Sequence, residues 1–363
     1  MFYRVSMTTI VVFIWKELMS LGYSGNITTL PELLSWIRRI HLTHKPELLQ
    51  YESSEIQDEI ILSSKLSRYS DFSIVLSGSF GTIYLVYREN RGKEEYVFLK
   101  TCPIHPTILL KEGILQSIAY SVLSYYNFPK AVPRVLDIVK HPTLGIVLAI
   151  ERNPNARLFA DYLKTNVHWG IPSKLNDTLF LSVLTQIATY LAILEVELGM
   201  NHRDLTGTNV LMVAPTIPVH QSVTLGSNTW ILHYTHQTIL IDFGFACIGT
   251  SDGKQTVSAG EFLPTADFCP KQGRDLFLFL SSVWDVELFR SSLTEPVKQL
   301  FHKWLHDKTS TNWANWLITS AKTNLKSIYL LTNSEKFTSV SCSPLQILKD
   351  ISEFDPSIIQ FIT

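Results

Sequence analysis

One stretch, from Gly199 to Phe245, gathers the residue types that could do chemistry together. It holds His202-Arg203-Asp204, then Asn209, then Asp242-Phe243-Gly244 after a run of apolar residues. Phosphoryl transfer from a metal-bound nucleotide needs one carboxylate to take or orient a hydroxyl proton, with an amide oxygen and a second carboxylate to hold the divalent cation. Asp204 suits the first task, and Asn209 and Asp242 suit the other two. Asp204 and Asn209 are close enough to share one loop, so a base and a metal ligand would stay in fixed register.

The elements that must position these groups are legible around them. Thr238-Ile239-Leu240-Ile241 reads as a short buried strand that presents Asp242 at its end. A helix with Phe180, Leu184, Ile187, Leu191 and Leu194 on one face runs up to Gly199, a helix stop just before the loop. Upstream, Ser73 to Val86 reads as strand, turn, strand, with the turn Ser77-Gly78-Ser79-Phe80-Gly81. Glycines there let backbone N–H groups approach phosphate oxygens. Ile83 follows, and Tyr96-Val97-Phe98-Leu99 ends in Lys100. The spacing of Glu112, Leu115, Ala119 and Val122 predicts a helix over Ile108 to Leu123, and Gly145 to Glu151 reads as a buried strand leading into a polar connector.

This order of parts resembles the eukaryotic-type protein kinase superfamily over about residues 60 to 290. The resemblance implies an α+β, bilobal fold: a small β-rich N-lobe over 55–148, a large α-helical C-lobe over 149–363, and an N-terminal helical extension over 1–54. It implies ATP and Mg²⁺ as cofactors, with Asp204 as the base and Asn209 and Asp242 on the metal. Gly78, Ser79, Phe80, Gly81 and Ile83 would cover the nucleotide, and Lys100 would grip its phosphates with Glu112 as partner. Leu148, Glu151 and Leu211 complete the implied nucleotide-binding set, the backbone of Ala149 to Glu151 meeting the adenine edge. His202 and Phe243 would pack behind the site, Arg203 would serve structure, and Asp275 would brace the loop backbone.

Departures from the pattern point to a subfamily. Leu76 stands where the first glycine of the loop is usual, Phe98 where an alanine precedes the strand lysine, and Thr206 where a lysine follows the catalytic aspartate. A long polar insertion separates Asn209 from Asp242, with Val219 to Thr229 read as a turn-like stretch between two strands. No Ala-Pro-Glu precedes Asp275. This combination is similar to haspin-like kinases, or to a viral kinase of the same trimming, although Phe243-Gly244 departs from haspin. The haspin likeness implies a Ser/Thr protein substrate, a histone H3 tail threonine, and a nuclear location. Two rivals stay open. Leu76, Phe98 and Thr206 suit a pseudokinase that binds nucleotide as a scaffold, and a small-molecule kinase shares the Asp, Asn, Asp logic.

Composition bounds the rest. A chain of 363 residues with 46% hydrophobic content and net charge −1 suits a globular protein without a polybasic tail or acidic block, so neither direct nucleic-acid binding nor membrane steering is expected, and a monomer is. The cysteines, Cys102, Cys247, Cys269 and Cys342, form no CxxC pair, which fits reduced thiols in the cytosol or nucleus. Ile10 to Trp15 is too short an apolar run to span a bilayer and reads as a buried helix start. Pro31-Glu32 opens a second helix with Leu33, Leu34, Ile37 and Ile40. His41 and His44 read as surface histidines, and Trp313 and Trp316 as core.

Overall fold

Alternation of apolar residues at period two builds the first of the described residues, from Tyr69 on, and long apolar runs at helical spacing build much of the rest. The computed structural model describes residues 69–78, 81–90, 93–102, 106–141, 145–165, 170–214, 218–249, 255–258, 268–306, 312–319, 325–332, 337 and 341–362. The extension expected over 1–54, with His41 and His44, and Ser79 and Phe80 of the glycine turn lie outside these residues. The architecture is mixed α+β.

Strands β1 (Tyr69–Gly78), β2 (Gly81–Asn90) and β3 (Lys93–Thr101) precede helix α1 (Pro106–Tyr125), and β4 (Val135–His141) and β5 (Gly145–Glu151) follow it. They form one antiparallel sheet in the order β1-β2-β3-β5-β4. Val86, Val97, Leu99, Val147 and Ala149 make a small core on one face of it. On β3, Phe98 and Lys100 alternate with these and share the other face. Helix α1 is buried around most of its girth, and its Leu115, Ile118, Ala119, Val122 and Leu123 belong to the large core of the helical body. It therefore ties sheet to body.

The body begins with β6 (Arg157–Leu158), α2 (Phe159–Thr165) and α3 (Lys174–Leu198). Helix α3 is capped by Ser173, whose side chain accepts from the Asn176 N–H, and is stopped by Gly199 at φ 59 and ψ 38. A β-carbon at 199 would stand 2.4 Å from the Gly249 carbonyl oxygen, so glycine is required twice over. By length and composition α3 could cross a bilayer, yet 83% of its most apolar stretch is buried, which makes it the central core helix.

Next come β7 (Met200–Asn201), a 3-10 turn (Gly207–Asn209), β8 (Val210–Val213), β9 (Val219–Leu225), β10 (Asn228–Tyr234), β11 (Gln237–Leu240), β12 (Cys247–Gly249) and β13 (Gln255–Ser258). The helices α4 (Arg274–Trp284), α5 (Glu287–Ser292), α6 (Glu295–Trp304), α7 (Trp313–Thr319), α8 (Leu325–Thr332) and α9 (Pro344–Phe354) lead to a last strand, β14 (Ile359–Ile362). Helix α4 is buried along nearly its whole length, as its apolar run requires. Trp313 and Trp316 pack partly buried against the core, their ring centroids 5.1 Å apart.

Two expectations are corrected here. The insertion is a true hairpin, but its strands occupy most of the stretch read as a turn. The turn itself is Gly226-Ser227, with Gly226 at φ 58, and Val223, Leu225, Trp230, Leu232 and Tyr234 alternate inward behind the polar outer face. The expectation of four reduced thiols fails at one pair, because Cys247 and Cys269 are joined by a disulfide. Strand β12 lies against β7, and the segment entering α4 packs on Gly199, so two cysteines 22 residues apart in sequence meet. An intracellular location loses the support of that pair, while Cys102 and Cys342 are buried free thiols.

Candidate active site

Two strand pairs hold the loop that carries Asp204. Before it, β7 pairs with β12; after it, β8 pairs with β11, which delivers Asp242. Between them the Ile241 N–H donates to the Asn209 carbonyl at 3.0 Å, and the His202 ring Nε2 meets the Ile241 carbonyl at 2.9 Å. Phe243 packs on His202 with centroids 4.8 Å apart, fully buried behind the site. Arg203 is fully buried and sits at φ 68, a left-handed backbone that costs about 1 kcal/mol or more outside glycine. Asp275, at the start of α4, holds that backbone in place. Its two carboxylate oxygens accept the N–H groups of His202 at 2.7 Å and Arg203 at 2.8 Å.

Inside this frame, Asn209 Nδ2 donates to the Asp204 backbone carbonyl at 2.7 Å and to its Oδ2 at 2.9 Å. Both amide hydrogens are spent on Asp204, so the oxygen of Asn209 is the atom available to a cation. Burial raises the Asp204 carboxyl to about 6; His202, Asn209 and Lys100 pull against this and Asp242 adds to it. Asp204 is thus a carboxylate at neutral pH but an unusually basic one, which suits it to accept a proton.

Lys100 comes from the sheet. Its Nζ lies 2.8 Å from Glu112 Oε1 on α1 and 2.8 Å from Asp242 Oδ1. Burial opposes the lysine's charge, but the two carboxylates outweigh it and hold its pKa above the ordinary lysine value. One cation cannot neutralise two anions in a buried site. The surplus falls on Glu112, which burial pushes up to about 7. Asp242 goes the other way: burial alone would raise it, and Lys100 holds it below the usual carboxylate range. Gly244 lets the backbone pass close to these groups: a β-carbon there would lie 3.1 Å from Asp242 Oδ1 and 3.3 Å from Glu112 Oε2, so either carboxylate would have to shift by a few tenths of an ångström.

The structure thus brings Lys100, Glu112, Asp204, Asn209 and Asp242 together from five elements. Gly78 and Gly81 face each other where β1 and β2 close, and Gly81 at φ 135 leaves no room for a side chain, its β-carbon falling 1.8 Å from the Thr101 carbonyl oxygen. Ile83 and Leu148 stand opposite Lys100 in the neighbouring strands, Leu148 fully buried, and Leu211 lies half-buried on β8. Strand β5 stays in the sheet through Glu151, whose N–H donates to the Arg134 carbonyl at 2.9 Å and whose side chain is exposed. The first backbone groups outside the sheet belong to Arg152 and Asn153. Phe98 shares the Lys100 face of the sheet, Leu76 is 62% exposed, and the Thr206 hydroxyl is 2.7 Å from that of Thr208.

Sequence reasoning missed Tyr329. Its ring meets Phe245 edge-on at 6.3 Å, and burial, followed by the charge of Asp204, pushes its phenol pKa up, so it stands close to the loop carboxylate. Nothing in the sequence near residue 329 announces this, because α8 reaches the site only by packing on α4. Among the described residues no three His, Cys, Asp or Glu side chains gather as a metal cage. The available donors, an amide oxygen and a carboxylate, are hard oxygens of the kind Mg²⁺ takes while keeping several waters. No family model matches the chain, and no curated protein matches it significantly.

Proposed function

We propose that this chain is an ATP-dependent protein kinase that transfers the γ-phosphate to a Ser or Thr hydroxyl of a protein. The sheet with α1 would be the small lobe of a two-lobed kinase and the helical body its large lobe. One observation carries the reading: Lys100 joins Glu112 and Asp242 at 2.8 Å each, in the same site where Asn209 holds Asp204 at 2.9 Å. These are the charges that phosphoryl transfer needs, at the places it needs them.

Bound Mg-ATP supplies the phosphoryl group and the neutralising cation, for which the Asn209 oxygen and the Asp242 carboxylate are the fitting donors. The chain does the rest. Lys100 is cationic across the working pH range and draws phosphate oxygens toward the sheet. Asp204, oriented by Asn209, accepts the hydroxyl proton of the substrate. Asp275 keeps the loop from relaxing its strained backbone. Thr206 in place of a lysine, the hairpin insertion and the absence of Ala-Pro-Glu before Asp275 favour a haspin-like kinase acting on a basic histone-type tail.

The test is radiolabelled ATP with a peptide library that includes basic histone tails. Label on Ser or Thr in the wild type, absent in Asp204→Asn, is the expected result. A second reading, a nucleotide-binding scaffold, is favoured by Thr206, whose hydroxyl is engaged by Thr208 and supplies no cation to the terminal phosphate. Thermal stabilisation by Mg-ATP with no release of ADP and no label would select it.

A further inference from the structure

The β9–β10 hairpin carries two histidines that phosphoryl transfer leaves unused. His220 and His233 are direct partners in the antiparallel register. Their ring centroids are 4.7 Å apart with planes at 72°, and their Nδ1 atoms are in direct contact. Two imidazole lone pairs aimed at one point repel unless a proton or a cation lies between them.

The backbone beneath them is fixed. Strand β10 also pairs with β14, and the buried Trp230 donates its Nε1 hydrogen to Thr189 of α3 at 3.2 Å. Gln221, next to His220, donates to the carbonyls of Tyr126 and Asn127 and accepts from the Tyr234 hydroxyl. With the backbone held in this way, only side-chain freedom is left to lose when the two imidazoles bind an ion. The pair borders a pocket of about 380 Å³ on the hairpin side of the body, lined also by Tyr162, Ser182, His236 and Ser357.

We propose that His220 and His233 form a binding site for a divalent transition-metal ion of the Zn²⁺, Ni²⁺ or Cu²⁺ class, whose remaining positions face the pocket and are filled by water. Imidazole suits these ions, whereas Mg²⁺ and Ca²⁺ require oxygen ligands. Tetrahedral bonds of about 2.0–2.1 Å put two ligand nitrogens about 3.3 Å apart. Rotation of the exposed His220 side chain opens the pair to that separation. Among the described residues no third His, Cys, Asp or Glu joins them, so the ion would be exchangeable rather than a permanent structural one. It would cross-link β9 to β10 at the pocket rim.

The test is titration of the full, untagged chain with Zn²⁺ and Ni²⁺ by calorimetry, in excess Mg²⁺ to occupy hard oxygen sites. One equivalent bound, weakened tenfold or more in His220→Ala and in His233→Ala and unchanged in His236→Ala, is the expected result. Binding that is equally tight in His220→Ala and His233→Ala, or no binding in the wild type, overturns the site. Cu²⁺ electron paramagnetic resonance on the wild-type chain needs no variant to fold. Hyperfine coupling to two imidazole nitrogens is expected, and a spectrum without them refutes the proposal. Neither readout depends on kinase activity.

Discussion

Lys100→Met keeps the reach of the side chain and deletes its charge, which isolates the most consequential electrostatic arrangement in the protein. In the wild type the ammonium is shared between Glu112 and Asp242 at 2.8 Å each, and Glu112 is 1% exposed. A buried carboxylate stripped of its cation costs about 3–5 kcal/mol. Glu112 can relieve part of this by taking a proton. Its folded pKa, about 7 with Lys100 present, lies above the ordinary carboxylate value, and Lys100 is one of the influences holding it down. Without Lys100 it rises further. A folded pKa above the unfolded one means that the folded chain binds a proton the unfolded chain releases, so stability falls with rising pH between the two values by about 1.4 kcal/mol per pH unit. In the wild type this decline ends near pH 7. In Lys100→Met it continues, so from pH 7 to 8 the variant loses about 1 kcal/mol more than the wild type, which sheds only the remainder of its proton over that interval. In the wild type Lys100 holds Asp242 below the usual carboxylate range and so below this window; in the variant that cation is gone and burial raises Asp242, which adds to the same decline. Urea unfolding followed by circular dichroism at pH 6, 7 and 8 measures the difference. Stability curves that run parallel between pH 7 and 8 would refute the reasoning. So would a Lys100→Met/Glu112→Gln double variant as unstable as Lys100→Met alone, because removing both charges should recover most of the loss.

Under the proposed kinase reading, Asp204→Asn lowers kcat by about 10²–10⁴-fold and leaves Mg-ATP affinity within about threefold, by single-turnover and binding assays. With the Asp204 carboxyl at about 6, wild-type kcat/KM rises with pH as the proton leaves and drops about tenfold between pH 7 and 5, a limb that a pH profile of Asp204→Asn lacks. Gly81→Ala drives a methyl group to 1.8 Å from the Thr101 carbonyl oxygen unless the strands part, and lowers the thermal midpoint by several degrees in calorimetry. Asp275→Asn leaves one of the N–H groups of His202 and Arg203 facing an amide donor, which costs about 2–3 kcal/mol in denaturant unfolding while the α4 helix persists.

Much of the local structure follows from short-range pattern. Residues Gly145–Glu151 form a strand with the bounds their apolar run suggests, and the helix read over Ile108 to Leu123 extends only to Pro106–Tyr125. Gly199 ends α3 because φ near 59 is cheap only for glycine, a constraint visible in one letter. The hairpin strands escape a sequence reading because their outward residues, such as Ser222 and Thr224, are polar and turn-like in composition. Their inward partners, Val223, Leu225 and Trp230, become informative only once a core exists to receive them.

The sequence alone determined which groups were candidates: the spacing of Asp204 to Asn209 fits one loop whatever the rest of the fold does, and helix and strand periods are properties of the local chain. Only the tertiary structure decided their partners. That Lys100 meets Asp242 across 142 residues, that Cys247 bonds Cys269, that the Tyr329 ring meets Phe245 and that β14 completes the hairpin sheet all depend on which buried faces pack together. Contacts of that kind are set by the burial of apolar area and the pairing of charge in three dimensions, and neither leaves a fixed interval in the chain.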